Sequence, residues 1–173
     1  FVNKVANLPL SDFNEAVSDL LTCAPNIAHV SLIVAWHGTE LRAAECRIHP
    51  KVEVSSRTTV PGWQVGPTVR SEALVVSTHN GKPAMGGAPS DRTLFEAISY
   101  LRSRNIEVTL HPIVLMDIPL GNTIPNPYGG TVGQPAYPSA DKITCNPARG
   151  YNSTVDKTSV ATSQINTFFG SVS

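Results

Sequence analysis

The residue types best suited to chemistry in this chain lie at the ends of three predicted strands. Trp36 ends the first strand and His37 follows it, His79 comes after the second, and Asp117 ends the third, with Asn122 in the loop beyond. The carboxyl ends of neighbouring parallel strands meet at one rim of an α/β fold, so we expect these side chains to converge. An aromatic ring beside carboxylate and amide groups is typical of a site for a sugar. The sequence therefore predicts carbohydrate binding at this rim.

Catalysis on a sugar would require a second acidic group. A glycosidase uses two carboxyl groups, about 5–5.5 Å or about 6.5–9.5 Å apart. Asp117 is the first candidate, and Glu40 and Asp91 are more distant candidates for the second. Asp91 also lies at a predicted helix start, where the helix dipole favours a carboxylate. The alternative is that Trp36 and His37 only end a core strand, and that Asp117 only caps the loop after it.

Other kinds of site receive little support. The five histidines show no HExxH or close HxH spacing, so we expect no metal site, and His111 within a strand is typical of a core or rim imidazole. Two glycines at 86–87 precede a helix, but their pattern is neither a P-loop nor a GxGxxG fingerprint. The sequence has no GxSxG motif and no recognisable Cys–His arrangement. We expect no cofactor.

The elements that would position these residues alternate along the chain. Runs rich in Val, Ile and Leu predict buried strands at 28–36, at 73–77 and from Ile106 to Asp117. Apolar residues at helical spacing predict helices at 11–22, from Ser90 to Asn105, and from the region after Thr154 or Asp156 to Gly170. The dipeptide at 80–81 is Asn-Gly, which predicts a tight turn.

This order predicts an α/β fold with a right-handed β–loop–α–loop–β crossover. A long loop rich in Gly, Pro and Asn follows the third strand, which is where such a fold builds its site. A closed eight-stranded (β/α) barrel needs about 250 residues, whereas this chain has 173. We therefore expect a single domain over residues 1–173 that forms only part of a TIM-barrel-like fold.

The composition restricts the function further. Lys plus Arg and Asp plus Glu number 13 each, so the formal net charge is zero and we expect no nucleic-acid partner. No run of about 18 apolar residues could form a membrane span. Charged residues make up only 15%, which favours a partner, a larger assembly or an oligomer. Three scattered cysteines predict reduced thiols with at most one bridge. Because the chain begins at Phe1, we expect it to be trimmed or part of a longer polypeptide.

Several segments, in order, resemble the TIM-barrel-like domain of gene transfer agent and prophage tail-tip hub proteins. They are residues 30–54, which include AWHGTELRAAECRIHP, residues 81–129, which include GGAPSD and LHPIVLMDIPLGNTIPNP, residues 134–138, and residues 143–170. The resemblance implies a glycoside-hydrolase-like (β/α) barrel, of which this chain is the N-terminal portion. It also implies that Asp117, Trp36 and the GGAPSD loop lie at the rim of the site. In barrels of this kind the catalytic carboxyls usually follow later strands, beyond the equivalent of Ser173.

The resemblance implies a domain of a phage-like tail hub protein that binds or hydrolyses cell-envelope glycan. If it is an enzyme, it is a glycoside hydrolase in which Asp117 is catalytic. The substrate-binding candidates are Trp36, His37, His79, Asp91, His111, Asn122 and Tyr128. The alternative is a non-catalytic module of the tail tip, either structural or carbohydrate-binding.

The expected partners follow from the same resemblance. They are cell-wall or surface glycan and other tail proteins, with assembly in the cytoplasm before incorporation into a phage-like tail particle. A partial barrel would leave two sheet edges and one apolar face exposed. We therefore expect the fragment either to form a homo-oligomer or to cover these edges with its long loops.

Overall fold

The computed structural model describes residues 11–130, 132–137 and 142–170. Three helices and seven strands lie within these ranges. In chain order they are α1 (Asp12–Cys23), β1 (His29–Gly38), β2 (Ile48–His49), β3 (Gln64–Val65), β4 (Thr68–Val69), β5 (Thr78–His79), β6 (Lys82–Pro83), α2 (Asp91–Ser103), β7 (Glu107–Met116) and α3 (Ser159–Phe169).

All three predicted helices are confirmed, and their starts follow from side-chain capping. In each case the hydroxyl of the N-cap residue accepts a hydrogen bond from the backbone N–H three residues later, which satisfies a donor that the helix leaves unpaired. The three N-caps are Ser11, Ser90 and Thr158. The last helix ends at Gly170, whose φ of 77° suits glycine.

The two long strands, β1 and β7, lie side by side in a three-stranded sheet of order β2–β1–β7. Glu107 N donates to Ala28 O at 2.9 Å, and ten residues further along both strands Asp117 N donates to Gly38 O at 2.9 Å. Partners that advance together in this way define a parallel pair. Two of the three predicted strands are therefore confirmed, with their carboxyl ends at the same edge of the sheet. The prediction that they are buried along their length is wrong, because most residues of β1 and β7 are exposed or half-buried and only their carboxyl ends are buried.

Pro112 lies in the middle of β7, where a proline cannot donate to a neighbouring strand. Backbone N–H groups along a strand point alternately to either side. Glu107 and Asp117 both donate to the β1 side, and Pro112 is an odd number of residues from each. The missing donor of Pro112 therefore belongs to the side away from β1, which matches the position of β7 at the edge of its sheet.

The prediction of a (β/α) TIM-barrel-like fold is wrong. The described residues form a mixed α/β arrangement with one three-stranded sheet and two two-stranded sheets, and no barrel. The predicted core strand at 73–77 forms only an isolated parallel bridge between Val52 and Val75. Val52 N donates to Leu74 O at 2.9 Å, and Val76 N donates to Val52 O at 3.0 Å. Through these bonds, residues 73–77 fix the segment around Val52 and do not extend the central sheet.

The two small sheets are antiparallel hairpins, β3–β4 and β5–β6. The turn between β5 and β6 is the predicted Asn80-Gly81 pair, with φ angles of 51° and 74°. Positive φ at both central residues is what a two-residue hairpin turn requires, and Asn and Gly tolerate it best. This turn is confirmed.

The chain divides into two compact units, each with its own core. Unit one comprises the described residues of Phe1–Ala35, Val54–Ala73 and Ala88–Ile113, and unit two those of Trp36–Glu53, Leu74–Gly87 and Val114–Ser173. The buried core residues of unit one include the cluster Val17, Leu101 and Ile106. Those of unit two include the cluster Leu41, Cys46, Met116 and Ile118.

None of the helices in the described ranges has the length and apolar character needed to cross a membrane. All three cysteines are free, with Cys23 exposed, Cys46 buried and Cys145 intermediate, as expected for reduced thiols.

Replacement of Leu101 should test the core of unit one. Leu101 is 1% exposed on α2, so Leu101→Ala should lower the free energy of unfolding by about 2–5 kcal/mol, through lost burial and the cavity left behind. Phe95 lies on the same helix but is 68% exposed, so Phe95→Ala is the matched control and should change stability by no more than about 0.5 kcal/mol. Urea denaturation measures both. Equal losses would contradict the assignment of the core face of α2.

Candidate functional site

The ends of β1 and β7 place two polar residues, His37 and Asp117, in unit two. The hydrogen bond from Asp117 N to Gly38 O keeps the two strand ends in register. The side chains of both residues are buried, with 0% exposure for His37 and 2% for Asp117. Since buried polar groups need partners, the contacts of these two side chains define what the cluster can do.

The carboxylate of Asp117 has partners on both oxygens. Lys51 Nζ lies 2.8 Å from Oδ2, and the backbone N–H of Ser77 lies 3.1 Å from each carboxylate oxygen. The side chain of Lys51 is also buried, with 8% exposure. This buried ion pair therefore links the end of β7 to two loop segments of unit two.

The partners of Asp117 keep it ionised. Burial acts to raise the pKa of Asp117, but the hydrogen bonds from Lys51 and Ser77, and the positive charge of Lys51, outweigh burial and hold the pKa below its ordinary value of 3.8. A glycosidase acid needs the opposite, a raised pKa. The environment of Asp117 suits a permanent anion and not a proton donor.

His37 is held as a neutral imidazole. Its Nε2 lies 3.2 Å from the carbonyl oxygen of Gly86, which can only accept, so Nε2 carries the proton. Nδ1 is buried and has no hydrogen-bond partner within the described part of the chain. Burial lowers the pKa of His37 below 6.5, although Gly86 and the charge of Asp117 act to raise it. The charge of Lys51 acts to lower it further.

The glycine pair before α2 closes this cluster because one of its members must lack a side chain. A Cβ on Gly87 would lie 2.6 Å from Lys51 O and 2.9 Å from Val52 Cα, both backbone atoms that cannot move aside. Gly87 N donates to Glu53 Oε1 at 2.9 Å. The loop at 86–87 therefore packs directly on the backbone that presents Lys51, and we assign this glycine to close packing rather than to phosphate binding.

A glycosidase would need a second carboxyl, for which the sequence suggested Glu40 or Asp91. Both of these carboxylates are engaged by other groups of the chain. Glu40 forms a two-point ion pair with Arg42, at 2.7 Å to Nε and 2.8 Å to Nη2. Asp91 accepts a hydrogen bond at 2.8 Å from Gly66 N and lies in the first turn of α2. Its place in that turn agrees with the alternative that the sequence offered for Asp91.

Four other predicted site residues lie in unit two. Trp36 is 36% exposed beside His37, and the exposed His79 places Nδ1 3.4 Å from the hydroxyl of Tyr137. The amide of Asn122 is saturated by the loop, since Nδ2 donates to two carbonyls and Oδ1 accepts from two backbone N–H groups. Tyr128 donates its hydroxyl hydrogen to Lys142 O at 2.7 Å. Asn122 and Tyr128 thus stabilise the long loop.

The remaining two candidates, Asp91 and His111, belong to unit one. His111 is exposed on β7. Because alternate residues of a strand share a face, His111 lies on the same face of β7 as Thr109. The hydroxyl of Thr109 lies 2.6 Å from His29 Nε2. Of the eight predicted site residues, the structure joins His37 and Asp117 in one buried cluster, and it places the other six at other positions of the two units.

The sequence analysis did not identify the residues that keep the Asp117 carboxylate ionised, Lys51 and Ser77. Lys51 lies in a short β-rich piece between prolines, and the contact from Ser77 is made by its backbone. A buried carboxylate requires a compensating cation, so a partner for Asp117 could have been expected. The sequence offers 13 Lys and Arg residues and no spacing rule that selects Lys51.

Comparison with known protein families and curated proteins identifies no relative of this chain. Within the described residues, no three His, Cys, Asp or Glu side chains are grouped as a metal ion would require.

A double-mutant cycle should measure the buried ion pair. Lys51→Met or Asp117→Asn alone leaves a buried charge without its partner and should cost about 3–5 kcal/mol of unfolding free energy. The double variant should cost less than the sum of the two, by about 1–3 kcal/mol. The control pair is Arg92 and Glu96, whose side chains are 66% and 49% exposed, and its coupling should be about 0.3–0.5 kcal/mol. Equal coupling in the two pairs would refute the role given to Asp117.

Acidification should destabilise the chain in two steps. The pKa of His37 is below 6.5 in the folded state, so the unfolded chain binds a proton first as the pH falls through 6.5, and stability is lost there. The lowered pKa of Asp117 produces a second loss, as the pH falls below 3.8. Stability should be measured by urea denaturation from about pH 8 down to about pH 3.

His37→Gln isolates the first step, because glutamine can still donate to Gly86 O but cannot titrate. The difference in stability between the parent and this variant should shrink as the pH falls from about 7 to about 5. Stability curves that stay parallel across this range would show that His37 does not titrate as proposed.

Proposed function

We propose that this chain is a non-catalytic module of a phage-like tail hub protein, of the gene transfer agent type, and that it holds a structural place in the tail tip. The resemblance of residues 30–54, 81–129, 134–138 and 143–170 to such hub proteins supports the kind of particle. The state of Asp117 supports the non-catalytic role. The partners in this proposal are other tail proteins, and assembly takes place in the cytoplasm before the particle forms.

The observation on which the non-catalytic role rests is the complete engagement of the Asp117 carboxylate. Both oxygens have partners, the side chain is buried, and the pKa is lowered. A general acid must hold a proton at the working pH, and a nucleophile must reach the sugar. Asp117 is suited to neither task in this environment, whereas it is well suited to fixing three segments of unit two together.

The alternative is a glycoside hydrolase acting on envelope glycan, with Asp117 as one of two catalytic carboxyls. In that case the ion pair with Lys51 would have to open on substrate binding, and a second carboxyl, such as that of Glu53, would have to be released from its own hydrogen bond with Gly87 N. The two functions differ in a measurable way. A hydrolase releases soluble sugar fragments from cell-wall sacculi, and a structural module does not.

The proposal predicts that the chain releases no soluble sugar from purified sacculi. The parent and Lys51→Met should both give the background release, measured as reducing sugar in the supernatant. A hydrolase of known activity is the positive control for the sacculi. Release by the parent that is lost in Asp117→Asn, at a temperature where circular dichroism shows the variant folded, would overturn the non-catalytic role.

Membership in a tail particle needs a separate test. Particles from the producing organism are sedimented, their tails are separated from heads, and peptides of this chain are quantified by mass spectrometry. The expected result is enrichment in the tail fraction together with other tail proteins. Peptides found only in the unsedimented supernatant would contradict the proposal.

A further inference from the structure

Unit one contains a hollow of about 570 Å³ between the loop at 55–59 and the β3–β4 hairpin. Its lining combines hydrogen-bonding side chains with the apolar surfaces of Trp63 and Val69. Five hydroxyl side chains line it: Ser55, Ser56, Thr58, Thr59 and Ser71. The volume lies within the range of about 300–1,000 Å³ typical of sites for small molecules.

The charge of this hollow is entirely positive. Arg57 and Arg70 line it, and no Asp or Glu does. The nearest acid along the chain, Glu72, follows Ser71 but is not part of the lining. Across the described residues the five ion pairs all involve other side chains, so neither arginine is neutralised by a carboxylate there. Two guanidinium groups without counter-charges attract an anion.

Arg70 is held in place before any ligand arrives. Its Nη1 donates to Val54 O at 3.1 Å, and its guanidinium lies 5.6 Å from the ring centroid of Trp63. Trp63 is itself fixed, because its Nε1 donates to Ala88 O at 2.9 Å. The Nε of Arg70 is buried and has no hydrogen-bond partner in the described part of the chain. Because this Nε is enclosed, pairing with a ligand would fall to the two terminal Nη groups, of which only Nη1 has a hydrogen-bond partner among the described residues.

We propose that this hollow binds an anionic sugar, whose carboxylate, phosphate or sulfate group pairs with Arg57 and Arg70. The planar guanidinium fork matches an oxyanion in two-point geometry. The volume exceeds that of a single inorganic anion, and the five hydroxyls can bond the hydroxyls of a sugar ring. This site rests on the hollow of unit one alone, so its failure would leave the proposed place in a tail particle unaffected.

Trp63 provides the readout, because it lies in the lining and in contact with Arg70. The chain has two tryptophans, so Trp36→Phe makes the fluorescence specific to Trp63. This chain is titrated with D-glucuronate, with D-glucose, and with inorganic sulfate, at constant ionic strength. The expected result is a saturable change with glucuronate, with glucose and sulfate each binding at least about tenfold more weakly, since each lacks one half of the ligand.

Arginine variants in the same background locate the site. Arg57 is exposed and forms no ion pair among the described residues, so Arg57→Gln should keep the fold while weakening glucuronate binding by about tenfold or more. Arg70→Gln should weaken it at least as much. Arg102→Gln, at an exposed position on α2, changes the net charge equally and should alter binding less than about twofold.

Three outcomes would overturn the proposal. Glucose binding as tightly as glucuronate would show that the charge is not recognised. Sulfate binding as tightly as glucuronate would show that the hollow takes an anion without the sugar. An equal loss in Arg57→Gln and Arg102→Gln would show that binding follows net charge and not this site.

Discussion

The buried ion pair between Lys51 and Asp117 is the contact that determines how unit two is organised. One carboxylate joins the end of β7, the segment after β2 and the segment before β5, through the ammonium group of Lys51 and the backbone N–H of Ser77. Removing two charges from water costs several kcal/mol per ion, which only good geometry and added hydrogen bonds can offset. The backbone bond from Asp117 to Gly38 provides part of that geometry. The arrangement defines one specific packing of these segments.

The two charged clusters of the chain illustrate opposite uses of the same physical chemistry. Asp117 has its counter-charge within its own unit, and its pKa is lowered accordingly. Arg57 and Arg70 line a hollow without any carboxylate. A charge that is satisfied internally stabilises one conformation and is unavailable to other molecules. A charge that is positioned but unsatisfied can bind a ligand. This difference, and not the residue type, separates the structural cluster of unit two from the proposed site of unit one.

The helices and the two long strands could be predicted from the sequence because their signals are local. Ser11 and Ser90 cap their helices as expected, and β1 and β7 are long Val- and Ile-rich runs. The prediction of a barrel failed because it required residues 73–77 to form a third core strand. In the structure that segment pairs only through an isolated bridge. Pro112 indicates an edge strand from the sequence alone, since a proline inside a strand favours an edge position. The pairing of Asp117 with Lys51 joins residues far apart in sequence, and no local pattern encodes it.

Pro112 also makes the two outer edges of the β1–β7 pair differ in the backbone hydrogen-bond donors that they present. On the outer border of β7 the proline interrupts the row of backbone donors, so an incoming strand would meet a gap at the centre. On the other border, β2 pairs in the described structure with only the last two residues of β1. Misassociation through exposed strands is a general hazard of open sheets. In this chain the proline removes one backbone donor at the centre of that border, so strand-upon-strand pairing of copies is disfavoured on the β7 side of the sheet.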